Sequence, residues 1–213
     1  MEPMSANRRR TSLTQRDIAR AALDLIDQHG LESFSMRRLG ARLGVDAMTI
    51  YRRFDDQESL FDEVAVEMFR AVDIGALPWD KPWPDLLSAY GFALRDALLE
   101  HPNALPIYGN RPVRSQDAVE WAVRALLKMA DESVPSATAL QVALCVNEYV
   151  IGHAMAMSAD LTAPQRGRPP EEGSAGFNVL AAAAASVRPG AHFDLGLRAL
   201  IDGLHGATLH RSE

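Results

Sequence analysis

The sequence is almost free of cysteine. Its single Cys145 excludes an intrachain disulfide. No apolar run reaches the roughly 18 residues that a membrane-spanning helix needs, and the first residues, MEPMSANRRRTSL, lack the apolar core of a signal peptide. These absences argue against export and against membrane insertion, and we expect a cytoplasmic protein.

Recognisable catalytic patterns are also missing. The sequence has no glycine-rich phosphate loop, no nucleophile elbow and no spaced Cys/His set, so we predict no catalytic residue, no metal site and no cofactor. Runs of β-branched residues between turn signals are scarce, which favours an all-α fold. The net charge of -6 argues against general nucleic-acid binding. Basic and acidic side chains nearly balance in the first 60 residues, however, which leaves room for a local basic surface.

Capping residues define four helix starts near the N-terminus. Thr14, Ser35, Asp46 and Asp56 can each accept hydrogen bonds from a first helical turn, and Asp17 completes a capping box with Thr14. Gly30 and Gly44 mark the ends of the first two helices. The short turn LGVD joins the second helix to the third. Two short helices joined this tightly are typical of a helix-turn-helix, whose second helix can enter the major groove of DNA.

The helix after the turn carries the side chains that DNA binding needs. Thr49, Arg52 and Arg53 can meet base edges or phosphates, because a guanidinium matches both, and the hydroxyl of Tyr51 can reach a phosphate. Ile50 and Phe54 anchor the same helix from behind. We predict DNA contacts at Arg8, Arg9, Arg10, Ser35, Met36, Arg37, Ala47, Met48, Thr49, Tyr51, Arg52, Arg53 and Gln57.

A proline- and tryptophan-rich segment, GALPWDKPWP at residues 75–84, separates this region from a second helical part. Helices are predicted at about 85–100, 115–131, 136–157, 175–187 and 193–209. The segment HPNALPIYGNRP, Pro135 and the segment DLTAPQRGRPPEEGSAG are expected to interrupt them.

The run DIARAALDLIDQHGLESFSMRRLGARLGVDAMTIYRRFDDQESLFDEV resembles the N-terminal domain of the TetR family of transcriptional regulators. The positions that match the family pattern are Gly30, Ser35, Arg37, Leu39, Leu43, Gly44, Val45, Tyr51, Phe54 and Leu60. The later segments RDALLEH, GNRP and FDLGLRALIDGL are similar, more loosely, to the effector domain of the tetracycline-repressor subclass.

The resemblance implies an all-α protein with an N-terminal three-helix helix-turn-helix domain and a helical C-terminal domain for ligand binding and dimerisation. We divide the chain into a flexible basic arm (1–13), a DNA-binding domain (14–60) and an effector-binding and dimerisation domain (61–213). The implied function is a homodimeric repressor that a small molecule releases from a palindromic operator. Effector binding would shift the helix that begins at Asp56.

Two positions depart from the family pattern near the DNA. Gln57 stands where the family usually has a lysine that binds a phosphate, and Asp46 stands where a serine or threonine cap is common. We therefore expect a shallower salt dependence of operator binding, by roughly one unit of slope for each lost contact.

The effector is expected to differ from tetracycline with magnesium. The resembled subclass grips that ligand partly through a histidine just before its GTRP motif, whereas this chain has Ile107 and Tyr108 there. Tyr90 replaces an asparagine that meets the drug. We predict an apolar or aromatic effector and, as its contacts, Tyr90, Leu94, Tyr108, Arg111, Trp121, Met129 and Asn147.

Dimerisation is expected through residues 136–157 and 193–209, whose apolar stripes are interrupted by Gly152, Gly196, Gly203 and Gly206. Two other classes of function stay open. One is an all-helical enzyme that uses Asp202 with His205, or Glu100 with His101. The other is a dimeric ligand- or protein-binding module whose helix-turn-helix no longer binds DNA, because acidic residues surround Gln57.

Overall fold

The computed structural model describes residues 13–111, 115–162, 175–188 and 190–209. These ranges contain helices and no strand, which confirms the predicted all-α fold. The predicted arginine arm, Arg8 to Arg10, lies outside them. The helices are α1 (Gln15–His29), α2 (Met36–Leu43), α3 (Ala47–Tyr51), α4 (Gln57–Arg70), α5 (Trp83–Leu99), α6 (Leu105–Gly109), α7 (Gln116–Asp131), α8 (Ser136–Thr162), α9 (Ala175–Ser186) and α10 (Ala191–Leu209).

The predicted caps are confirmed at all four N-terminal helices. Thr14 and Asp17 form a reciprocal capping box at α1, and Ser35 accepts a hydrogen bond from the backbone N–H of Arg38. Asp46 Oδ1 accepts from the backbone N–H of Met48 at 2.8 Å. Asp56 and Ser59 form a second capping box at α4. These local hydrogen bonds satisfy backbone donors that would otherwise lack a partner, so the short helices begin where the sequence predicts.

Helices α1 to α4 form the N-terminal bundle. Helix α1 packs against α2 and α4, and α2 packs against α3. Ile50 is fully buried and Phe54 is nearly so, which confirms them as the anchors of α3. At the turn, a Cβ added to Gly40 would lie 2.8 Å from the carbonyl oxygen of Val45. The missing side chain at Gly40 therefore lets α3 approach α2 closely.

The second part of the chain is built around α5, which packs against α8 and α10. Trp83 and Phe193 are among its largest fully buried side chains. Helix α6 lies between α4 and α8, while α7 packs on α8. Among the described helices, none has the length and apolarity needed to cross a bilayer.

The structure differs from the sequence prediction in helix boundaries. The segment HPNALPIYGNRP was expected to be irregular, but it contains α6, because Pro106 lies in the first turn where no backbone N–H is needed. Helix α5 begins at Trp83 for the same reason, with Pro84 in its first turn. Helix α4 is continuous from Gln57 to Arg70, so a domain boundary after residue 60 falls inside a helix.

Candidate nucleic-acid interface and internal cavity

One face of α3 and the start of α2 project polar and basic side chains to the exterior. Met48 is 64% exposed and Tyr51 is 44% exposed, large values for such side chains. The guanidinium groups of Arg37, Arg52 and Arg53 are exposed as well. They form no ion pair with any residue that the structure describes. The arrangement leaves three cations available to an anionic partner.

The remaining predicted contacts around this face are less accessible. Ser35, Ala47, Thr49 and Gln57 are half-buried. Met36, also predicted to contact DNA, is only 5% exposed, and its side chain belongs to the core and not to this face. As the first residue of α2, it can offer only its backbone N–H group. The apolar methionine side chain points inward because that side of α2 packs against α1.

The start of α4 follows α3 in the chain after five residues and carries negative charge. The Asp56 carboxylate accepts a hydrogen bond from the backbone N–H of Ser59, and this hydrogen bond lowers its pKa. The group is fully solvent-accessible and ionised at neutral pH. Gln57 is the first residue of α4. A residue that the sequence analysis missed, Gln15, fixes the preceding turn, because its Nε2 donates to the carbonyl oxygen of Arg53 at 2.7 Å. No local sequence signal indicates this contact, since 38 positions separate the two residues.

A cavity of about 280 Å³ lies between α4, α5, α6, α7 and α8. Its walls are largely apolar and aromatic. Five of the seven predicted ligand contacts lie around it. The described lining residues are Phe69, Tyr90, Tyr108, Arg111, Ala118, Trp121, Ala122, Leu140, Ala143, Leu144, Asn147 and Ile151.

The aromatic side of the cavity is ordered by direct contacts. The rings of Tyr90 and Trp121 stack with their centroids 4.2 Å apart and their planes 27° apart. The hydroxyl of Tyr90 donates to Asn147 Oδ1 at 3.3 Å. Burial raises the pKa of Tyr90 and of Tyr108, because desolvation disfavours a phenolate. Both tyrosines are therefore neutral groups that can donate or accept a hydrogen bond.

Leu94 and Met129, the other two predicted contacts, are not among the residues that line this cavity. Both are almost completely buried in the core. An apolar side chain that points inward can lie in a cavity wall or in the packed core, and the sequence does not distinguish the two.

Arg111 connects the cavity with the start of α4. It follows the last turn of α6 and lines the cavity, and its side chain is 18% exposed. Its guanidinium pairs with the carboxylate of Glu58, and its Nε lies 3.1 Å from Asp62 Oδ1. The same group lies 5.6 Å from the ring centroid of Phe61. Three side chains of the first two turns of α4 thus contact a residue of the cavity wall.

A second polar cluster joins α4 to α1 and α7. The guanidinium of Arg70 pairs with Glu67, lies 2.9 Å from Glu63 Oε1 and reaches Asp117 Oδ2 of α7 at 2.8 Å. The Glu67 side chain is only 5% exposed. It also pairs with Arg16 of α1, whose Nε lies 3.0 Å from Glu67 Oε1. A buried carboxylate needs such partners because desolvation destabilises its charge.

A third contact, at His101, holds the end of α1 against the loop before α6. His101 Nδ1 lies 2.7 Å from Asp27 Oδ2, and Asn103 Nδ2 donates to the carbonyl oxygen of Asp27 at 2.9 Å. The hydrogen bond with Asp27 raises the pKa of His101. The Glu100–His101 pair considered as an acid–base site therefore has its histidine engaged in a contact between helices.

The other candidate acid–base pair is not formed. Within the described residues, no hydrogen bond joins Asp202 to His205. The ring of His205 packs edge-on against Trp83, with centroids 5.3 Å apart. Across the same ranges, no three His, Cys, Asp or Glu side chains are grouped closely enough to hold a metal ion.

Comparison with known proteins places both parts of the chain in one family. The family described as bacterial regulatory proteins, tetR family, matches residues 18–64. The family described as tetracyclin repressor-like, C-terminal domain, matches residues 77–207. The tetracycline repressor protein class A from transposon 1721 of Escherichia coli is 28% identical over 199 residues, which cover 91% of this chain and 91% of that protein.

Solved structures show the same architecture. A possible TetR family transcriptional regulator from Streptomyces coelicolor A3(2) superposes with a TM-score of 0.77 at 28% identity, covering 91% of this chain and 99% of that one. A TetR variant from Acinetobacter baumannii AYE, in complex with minocycline, also superposes with a TM-score of 0.77. Its identity is 21%, and the match covers 92% of this chain and 95% of that chain. At that identity the likeness concerns the fold alone.

Proposed function

Because this chain belongs to the tetR family of DNA-binding transcriptional regulators, we propose that it is a homodimeric repressor that a small molecule releases from a palindromic operator. One observation carries the proposal. Helix α4 begins at Gln57, six positions after α3 ends at Tyr51, contributes Phe69 to the cavity wall and pairs with Arg111 through Glu58 and Asp62. Occupation of the cavity and the position of the DNA-reading helix therefore involve the same helix.

At the DNA end, α3 enters the major groove and its unpaired cations meet the duplex. Thr49 and Arg37 contact base edges, and Tyr51, Arg52 and Arg53 contact base edges or phosphates. The N-terminus of α4 faces a phosphate, because its first backbone N–H groups and its dipole favour an anion. The arm that carries Arg8, Arg9 and Arg10 follows the minor groove or the phosphates. Such a protein acts in the cytoplasm, where bacterial operator DNA is found.

The dimer forms through α8 and α10. A Cβ added to Gly152, Gly203 or Gly206 would meet nothing within 4 Å in the single chain, so these positions are open to the close approach of a second copy. Gly196 has another role: a Cβ there would lie 2.1 Å from the Tyr149 hydroxyl of the same chain. A twofold dimer places its two α3 helices about one DNA turn, ~34 Å, apart.

The effector is an aromatic or apolar molecule. The stacked Tyr90 and Trp121 offer a planar surface for another ring. No histidine is present among the described residues of the cavity wall, and Ile107 is buried in the core at 2% exposure. This composition does not favour tetracycline bound through magnesium, since magnesium prefers oxygen ligands and ordered water to an apolar wall. The cavity volume of about 280 Å³ lies near the lower end of the range of small-molecule pockets.

Ligand and DNA oppose each other through their different affinities for two positions of α4. If an effector favours the position in which the two α3 helices no longer match two half-sites, linkage requires that DNA weakens effector binding by the same factor. Couplings of this kind typically correspond to about 5- to 150-fold in affinity.

Selection from a randomised duplex library, at near-physiological salt, tests the proposal. Retained DNA is sequenced, and we expect a palindrome whose half-sites lie about one turn apart. Folded dimeric protein that enriches no sequence would refute operator binding. It would favour the alternative of a dimeric ligand- or protein-binding module, for which the acidic start of α4 is the supporting observation.

A further inference from the structure

We propose that the effector carries an anionic group that binds Arg111 in place of Glu58 and Asp62, so that ligand charge itself detaches the start of α4. The proposal deepens the function proposed above and rests on it. It concerns a feature that an apolar cavity does not need, namely a cation in its wall.

Arg111 is the one charged side chain among the described residues that line the cavity. No carboxylate lines it there, and the tyrosines Tyr90 and Tyr108 are neutral because burial raises the pKa of each. A cationic ligand would find no carboxylate among the described residues of the cavity wall to pair with. A carboxylate or other acidic group would instead find a planar guanidinium that can bind two oxygens at once.

The present partners of Arg111 are easy to replace. The side chains of Glu58 and Asp62 are each 69% exposed, whereas that of Arg111 is 18% exposed. Ion pairs to exposed carboxylates contribute little, because water and salt screen them and flexible side chains lose entropy. A ligand whose rings pack against the stacked pair of Tyr90 and Trp121 lies in the same cavity as the guanidinium, within reach of its carboxylate. It forms its pair in a drier environment and therefore competes well.

Displacement has two consequences for α4. Its first two turns lose the contact that holds them to the end of α6. In addition, Glu58 and Asp62 lose a neutralising cation, and their negative charges lie at the end of the protein where DNA phosphates are expected. Both effects weaken operator binding, the first through geometry and the second through repulsion.

The test uses two probes of equal shape, naphthalene-2-carboxylate and naphthalene-2-carboxamide, and isothermal titration calorimetry on the full chain. We expect the wild-type protein to bind the carboxylate about tenfold more tightly, since charge-assisted hydrogen bonds are stronger than neutral ones. Arg111→Gln should bind both probes equally, and Arg111→Lys should keep part of the preference. Arg20→Gln, which removes an exposed cation of α1 outside the cavity wall, should keep all of it.

The double variant Glu58→Gln, Asp62→Asn separates competition from a structural role. We expect it to bind the carboxylate more tightly than the wild type does, with no change for the carboxamide, because Arg111 is then free. Equal affinity of the wild type for both probes, or unchanged carboxylate affinity in the double variant, would overturn the proposed displacement but leave the cavity as an effector site. If neither probe binds the wild type, the displacement and the aromatic effector are both wrong.

Discussion

Replacing Gln57 by lysine should steepen the salt dependence of operator binding. Gln57 is the first residue of α4, between the capping carboxylate of Asp56 and the side chain of Glu58. A lysine there adds a cation at a helix start that we expect to face a phosphate. The neutral amide of Gln57 can donate a hydrogen bond to the phosphate but releases no counterion when it does so.

The magnitude follows from counterion release. Each additional neutralised phosphate changes the slope of log K against log salt by about -0.9, and a dimer gains two such contacts, or about -1.8. Between 50 and 200 mM salt, the Gln57→Lys variant should therefore lose about tenfold more affinity than the wild type does. At low salt it should bind more tightly than the wild type.

Fluorescence anisotropy with a selected duplex at four or five salt concentrations measures both slopes. Gln116→Lys is the matched control, because Gln116 is likewise the first residue of its helix, α7, which packs on α8 and α5, and it receives the same substitution. Equal slopes for Gln57→Lys and the wild type would refute the placement of the α4 start against a phosphate. An equally steep slope for Gln116→Lys would attribute the effect to net charge alone.

Three further predictions concern the packing of the turn, base recognition and pH. Gly40→Ala should lower the free energy of unfolding by about 1–3 kcal/mol in urea titrations, since the new Cβ would lie 2.8 Å from the carbonyl oxygen of Val45. An unchanged urea midpoint would contradict the close approach of α3 to α2. Thr49→Ala and Arg37→Ala should each cost about 1–3 kcal/mol on the selected duplex and relax base preference in repeated selection, and equal losses on random DNA would contradict base contacts. Asp27 raises the pKa of His101, so their pair stabilises the fold below pH ~6.5 and loses that effect as the pH rises through the folded-state pKa. Asp27→Asn should therefore destabilise the protein more at about pH 5.5 than at about pH 9 in urea titrations, and a pH-independent loss would rule out the pair as the cause.

The sequence predicted the N-terminal bundle well because the signals there are local. A capping side chain and its backbone partner lie within three residues, as for Thr14 with Asp17 or Asp56 with Ser59. The apolar face of α4 was predictable for the same reason, since Leu60, Val64 and Met68 repeat at helical spacing. In the structure all three side chains are fully buried.

The candidate cavity was only partly predictable. Tyr90, Trp121 and Asn147 come from three helices, and no local pattern in the sequence brings them together. Leu94 and Met129 are buried but do not line the cavity, because an apolar side chain can point inward at either place. Met36 precedes Arg37 at the start of α2, but its own side chain is buried.

The contacts between the two parts of the chain could not be predicted. Arg111 and Glu58 are 53 positions apart, and His101 and Asp27 are 74 apart. No periodicity or motif links residues at such separations, and charged side chains of both signs are common at helix ends. The structure was needed to pair them, and the pairs lie at the junction on which the proposed regulation depends.

The central claim is that filling the cavity weakens operator binding through α4, and it can be tested before any effector is known. Ala118 lines the cavity from α7, whereas Ala130 is exposed on the same helix. Operator affinity is measured by anisotropy for Ala118→Phe and for the control Ala130→Phe, after circular dichroism confirms that both are folded. The account predicts a loss of at least about fivefold for Ala118→Phe and no loss for Ala130→Phe. Wild-type affinity in a folded Ala118→Phe variant would contradict it.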